Sequence, residues 1–211
     1  MNLKGIKANF LGDSITEGHG VEDMEHNVYW QRLGEACEME AFRGYGIGGT
    51  RFAIQHTVSE NPRWDLNFIS RVDEMDPDAD LIVVFGGTND FGHGDAPIGV
   101  MSDRSPYTFY GACHVLIKKL ITRYPDAQIV FMTPLHRTVE ERGERRLKDF
   151  VDAIRKVAEF YSIPVLDLYA TSGLQPQVPV IMEKVCPDGL HPNDAGQEKI
   201  YKRLRAFLES L

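Results

Sequence analysis

Ile6-Lys7-Ala8-Asn9-Phe10-Leu11-Gly12-Asp13-Ser14 is a short apolar run that stops abruptly on a Gly-Asp-Ser turn. A run of this length bounded by glycine reads as a buried strand. Further strand-sized runs follow at Met39–Arg43, Leu81–Phe85, Gln128–Met132 and Pro164–Leu168. Between them, Tyr29–Cys37, Leu66–Met75, Pro106–Tyr124 and Glu144–Tyr161 carry apolar residues at helical spacing. Alternation of this kind predicts βαβ units, hence a parallel sheet with helices on both faces. In the third helical stretch Phe109, Cys113, Leu116, Ile117, Leu120 and Ile121 share one face. A last helix is predicted from Asp194, with Asp194 and Gln197 as a capping box and Ile200, Leu204, Phe207, Leu208 and Leu211 on one core-facing stripe. The mixed-charge run Glu140–Arg146 reads as a solvated loop and helix start.

The chain has 211 residues, 43% hydrophobic and 26% charged, with no linker-like or low-complexity stretch, which predicts a single domain over 1–211. The sequence enters its first strand almost at once, with no charged and then apolar leader, so a cytoplasmic location without a stable membrane anchor is expected. A net charge of −8 without a basic stripe argues against nucleic acid as a partner. Cys37, Cys113 and Cys186 match neither a disulfide framework nor a CxxC metal pattern and read as reduced, packed thiols.

Polar motifs fall at the C-terminal ends of the predicted strands, where open α/β sheets bind ligands. Ser14 lies on the turn leaving the first strand; alone, it reads equally as a helix cap. Asp188-Gly189-Leu190-His191 precedes the last helix, and a carboxylate three residues ahead of an imidazole can accept its Nδ1–H, freeing Nε2 to take a serine proton. Gly87-Thr88-Asn89-Asp90 follows the third strand and offers the neutral Asn89 amide as a donor for a developing oxyanion. Gly44-Tyr45-Gly46-Ile47-Gly48-Gly49-Thr50-Arg51 follows the second strand. Its glycines formally match a dinucleotide fingerprint, with Asp65 as the ribose acid, but that fingerprint belongs after the first strand, so a loop donating backbone N–H groups is preferred. No G-x-S-x-G elbow is present, and His93 with Asp95 completes no metal-ligand set, so neither a metal nor another cofactor is expected.

These residues resemble the SGNH, or GDSL, hydrolases, whose Ser, Gly, Asn and His lie in four ordered blocks. Gly12-Asp13-Ser14-Ile15 resembles the first, with Ile15 where the family name has Leu; Ile47-Gly48-Gly49 is similar to the second, Gly87-Thr88-Asn89-Asp90 to the third and Asp188-Gly189-Leu190-His191 to the last. The resemblance implies a flavodoxin-like three-layer α/β/α sandwich around a five-stranded parallel sheet. It also implies Ser14, Asp188 and His191 as catalytic residues, with the Ser14 and Gly49 amides and the Asn89 side chain as oxyanion donors. Asp13, Arg51, Phe91 and His93 are expected to touch substrate.

The expected activity is ester hydrolysis through an acyl-enzyme. The loops Thr16–Asn27, Phe91–Ser105, Pro134–Gly143 and Thr171–Pro187 would decide specificity. Phe91–Ser105, rich in Gly and Asp, favours short acyl esters, such as acetyl esters of carbohydrates, over lipid acyl esters or thioesters. A nucleotide-binding oxidoreductase and a non-catalytic binding module are the alternatives from other classes.

Overall fold

The computed structural model describes residues 1–211. In chain order its elements are β1 (Lys7–Gly12), α1 (Ser14–Glu17), α2 (Tyr29–Ala36), β2 (Ala41–Gly46), α3 (Phe68–Arg71), β3 (Leu81–Phe85), α4 (Thr88–His93), α5 (Phe109–Arg123), β4 (Gln128–Met132), β5 (Glu141–Arg142), β6 (Arg145–Arg146), α6 (Leu147–Phe160), β7 (Val165–Leu166), α7 (Leu168–Thr171), α8 (Pro179–Val185) and α9 (Asp194–Glu209). The strands β2-β1-β3-β4-β7 form one sheet in that order, every pairing parallel. This is the expected five-stranded parallel sheet between helical layers.

Alternate residues of each strand point to opposite faces, and two separate cores result. Leu11, Ile82, Val84, Ile129 and Phe131 face α5 and α6, where Phe109, Leu116, Ile154 and Val157 meet them. Ala8, Phe10, Leu81, Val83, Phe85, Val130 and Met132 face α2 and α9, against Leu33, Ile200, Leu204 and Leu208. Burying each such aliphatic or aromatic side chain contributes about 1.5–3 kcal/mol, so the central strands are held from both sides. The sheet reverses order at β1, which sends β2 to one side and β3 to the other, and the loops leaving these strands open a crevice there.

Several sequence expectations are corrected. Gly44-Tyr45-Gly46 is strand, not loop: a Cβ at Gly44 would enter the Trp30 ring and one at Gly46 the backbone of α1, so these glycines serve close packing. Leu66–Met75 is a broken helix, α3 between short 3-10 turns. Glu140–Arg146 contains the β5–β6 hairpin, which delays α6 to Leu147. The cap of α9 is Asn193, whose side chain accepts from the Gly196 N–H at 3.1 Å. Gln197 is instead fully buried, donating to the Ile15 carbonyl at 3.0 Å and accepting the Tyr29 N–H at 3.1 Å, while Asp194 accepts the Glu22 N–H at 3.0 Å. On the α9 stripe, Leu211 is exposed.

Candidate active site

Ser14 stands at the first position of α1, immediately after β1, and is 5% exposed. The turn is shaped by its neighbours. Asp13 caps α1 by accepting the Ile15 N–H at 3.0 Å, and any side chain at Gly12 would collide with Thr16. The Ser14 Oγ lies 3.0 Å from His191 Nε2, and His191 Nδ1 lies 2.6 Å from an Asp188 carboxylate oxygen. The other Asp188 oxygen accepts the Leu190 and His191 N–H groups at 2.9 and 2.7 Å, so the spacing Asp-Gly-Leu-His folds into a turn that fixes carboxylate and ring together. Desolvation opposes ionisation of Asp188, but the His191 and Leu190 bonds outweigh it and hold its carboxyl below the usual range.

On the opposite side of Ser14, the Gly48-Gly49-Thr50 turn and Asn89 converge. Gly49 has φ +79, and a Cβ there would enter the Trp64 indole, so only glycine fits. The Gly48 N–H is taken by Glu17 at 2.6 Å, whereas the Ser14 and Gly49 N–H groups make no intramolecular hydrogen bond. Asn89, 6% exposed in the first turn of α4, donates from Nδ2 to the Thr50 carbonyl at 3.0 Å and keeps its second amide hydrogen uncommitted.

Two residues that hold this side escaped sequence reasoning. Arg71, 2% exposed, donates to the carbonyls of Leu66 at 3.1 Å, Tyr45 at 2.5 Å and Gly12 at 3.1 Å and to the Thr50 hydroxyl at 2.9 Å. It thereby ties the ends of β1 and β2 to the Gly49 turn. Burial draws its guanidinium down to about 10. Thr50, fully buried, closes the turn through its hydroxyl to the Ile47 carbonyl at 2.7 Å. Arg71 is separated from Gly12 by 59 positions, and nothing local marks it; Thr50 was at least adjacent to a recognised block.

Of the four expected substrate contacts, three belong to the frame. Asp13 is 1% exposed, spent on its cap, and burial lifts its carboxyl to about 6. Phe91 is 1% exposed and packs on Phe150 in the core. Arg51, 3% exposed, binds Ser59 at 2.5 Å and Asp65 at 2.7 Å, which also removes Asp65 from any ribose-binding role. His93 alone remains exposed, its ring 4.7 Å from that of Trp64. A surface concavity of about 930 Å³ lies elsewhere, lined by Arg104 ahead of α5, His114 and Lys118 on α5 and Tyr161 just after α6, and includes no residue of this constellation.

Comparison with known proteins bears on this arrangement. Residues 10–199 match the GDSL-like Lipase/Acylhydrolase family. The chain belongs to this family. Like its other members, this GDSL hydrolase is therefore an enzyme acting on ester bonds. It is 23% identical to a GDSL lipase of Mycobacterium tuberculosis, over 94% of this chain and 79% of that one. Its fold is similar to a solved Lactobacillus plantarum protein (TM-score 0.84, 29% identity, 98% of each chain). It is also similar to an acetyl xylan esterase (TM-score 0.65, 21% identity, 95% of this chain and 98% of the other). No helix of the GDSL hydrolase is long and apolar enough to cross a membrane.

Proposed function

We propose that this hydrolase cleaves short-chain acyl esters, acetyl esters of carbohydrates or other polar alcohols foremost, through a Ser14–His191–Asp188 triad. The observation that carries the reading is the unbroken relay from Ser14 Oγ to His191 Nε2 at 3.0 Å and from His191 Nδ1 to Asp188 at 2.6 Å. Ser14 attacks the ester carbonyl while His191 takes its proton, then returns it to the departing alcohol; water repeats the sequence on the acyl-enzyme. Asp188 keeps the imidazole in the tautomer with Nε2 free and stabilises the imidazolium. The uncommitted N–H groups of Ser14, Gly49 and Asn89 receive the oxyanion, each donor being worth roughly 10²–10³ in rate.

A short, polar substrate is supported by the Gly- and Asp-rich segment Phe91–Ser105, which runs from the last turn of α4 into the stretch after it, and by the acetyl xylan esterase among the structural neighbours. The lipase among the relatives keeps lipid acyl esters in view, and an acyl-chain series separates the two. Rates falling from acetate to decanoate support the short-chain reading; rising rates overturn it. The triad is tested by fluorophosphonate labelling and peptide mapping, with Ser14 as the expected site. Ser14→Ala should lower turnover of p-nitrophenyl acetate by about 10⁴–10⁶ without changing the fold, and a fully active variant would remove Ser14 from the mechanism.

A further inference from the structure

The Pro134–Gly143 loop brings to the site a cation that the ester chemistry does not use. Arg137 is only 9% exposed and has no carboxylate partner. Its Nη1 donates to the Thr88 carbonyl and hydroxyl oxygens, both at 3.3 Å, and its Cζ lies 5.5 Å from the centre of the Phe91 ring. Nε and Nη2 make no hydrogen bond, and neither is among the buried atoms sealed from solvent. One edge of the guanidinium is anchored and the other is open.

That open edge belongs to the catalytic crevice. Thr88 immediately precedes Asn89, and the residue after Arg137, Thr138, donates its N–H to the Gly189 carbonyl at 3.0 Å, between Asp188 and His191. Arg137 thus bridges the oxyanion side and the acid–base side. The carboxylates around it are already engaged: Asp188 with His191 and Leu190, Asp13 with Ile15, and Glu140 with His136, Tyr169 and the Arg137 N–H. Beside it Arg142, on the β5–β6 hairpin, is exposed and makes no ion pair or side-chain hydrogen bond. Desolvation and then the charges of Arg51, Arg137 and Arg142 push the His93 imidazole down to about 4, so this wall is locally positive in a chain of net charge −8.

A guanidinium edge with two parallel donors matches a carboxylate bidentately, and no carboxylate of the chain supplies one. We propose that Arg137, with Arg142 as its outer partner, determines specificity for esters whose alcohol portion carries a carboxylate, such as O-acetylated uronic acids. The carboxylate takes the Nε–Nη2 edge of Arg137 and sets the acetyl group against Ser14. This rests on the esterase reading above and narrows its substrate class.

The test is a matched pair of substrates, an O-acetylated methyl glucuronide and the corresponding O-acetylated methyl glucoside, which differ in a carboxylate against a hydroxymethyl group. The wild-type enzyme should favour the uronide by at least about tenfold in kcat/KM, mainly through KM, with the ratio shrinking as salt is raised. Arg137→Met should bring the ratio to about one, Arg137→Lys should keep part of it, and Arg142→Gln should reduce it less than Arg137→Met does. The salt dependence of the wild type reads the same interaction should Arg137→Met fold poorly. A wild-type ratio near one, or one unchanged in Arg137→Met, overturns this inference and leaves the esterase reading standing. Failure to hydrolyse either ester, with no fluorophosphonate label on Ser14, overturns both.

Discussion

The two sides of Ser14 are built differently. On one, Asp188 and His191 sit on a single turn in which the hydrogen bonds made by the Asp188 carboxylate span at most three residues, with the Asp188 side chain 55% exposed. On the other, Ser14, Gly49, Thr50 and Asn89 are brought together from three strand ends and cross-tied by Arg71, which is almost wholly buried. A local turn and a long-range network deliver the same ångström-scale precision, but they fail differently. Damage to the turn should cost chemistry and spare stability, whereas damage to the network should cost both.

The sharpest break of the turn is Asp188→Asn. The amide oxygen can keep the Leu190 and His191 N–H bonds, but the amide nitrogen would face Nδ1 as a donor and favour the tautomer with the proton on Nε2. His191 then has no lone pair for Ser14. A kcat loss of about 10³–10⁴ is expected, with the urea midpoint little changed because the side chain is exposed. A large fall in stability would erase the contrast between the two sides.

The matching break of the network is Arg71→Met. The Leu66 and Tyr45 carbonyls and the Thr50 hydroxyl lose the guanidinium as a donor, the Gly12 carbonyl keeps only the Ile47 N–H at 3.2 Å, and each buried group left unpaired costs about 1–3 kcal/mol. Since methionine fills part of the space and sheds the desolvation of a charge, a net loss of about 3–5 kcal/mol is expected in urea unfolding. Turnover of a p-nitrophenyl ester should fall with it, because the Gly49 turn is no longer fixed. Unchanged stability would show that the ties from Arg71 do not hold that side together.

The same contrast explains what the sequence revealed. The parallel sheet was legible because β3 is an unbroken apolar run, β4 is one after its first residue and β1 ends in a short apolar stretch stopped by Gly12, and Asp188–His191 was legible because its geometry is contained in four consecutive residues. Arg71 was not, since its partners lie up to 59 positions away and its stretch reads as ordinary amphipathic helix. Asp13, Arg51 and Phe91 look like cleft residues beside the motifs, yet all three turn inward. Asp13 caps α1, Arg51 anchors the 59–65 loop and Phe91 joins the core of α6. Sequence proximity to a motif fixes a residue's neighbourhood but not the direction of its side chain.

The smallest expected effect separates the two sides by pH. Asp188 is held below the usual carboxylate range, so what it adds to stability is present above its unfolded pKa and is lost as pH falls through the lower folded one. Asp13 behaves oppositely. Burial raises it to about 6, so the folded state retains a proton that the unfolded chain releases, and stability declines as pH rises between about 4 and 6. Asp90, lifted to about 6 by the same cause, adds to that decline, and substituting Asp13 alone isolates its share. Asp13→Asn keeps an oxygen for the Ile15 N–H but cannot ionise. Relative to wild type it should gain stability as pH rises through that window, on the order of 1–3 kcal/mol, and hold the gain above it. Urea midpoints at pH 4, 5, 6 and 7 measure this. A difference that does not vary with pH would mean that Asp13 is not strained by ionisation, and that Ser14 is framed by a charge at ease rather than by one held under tension.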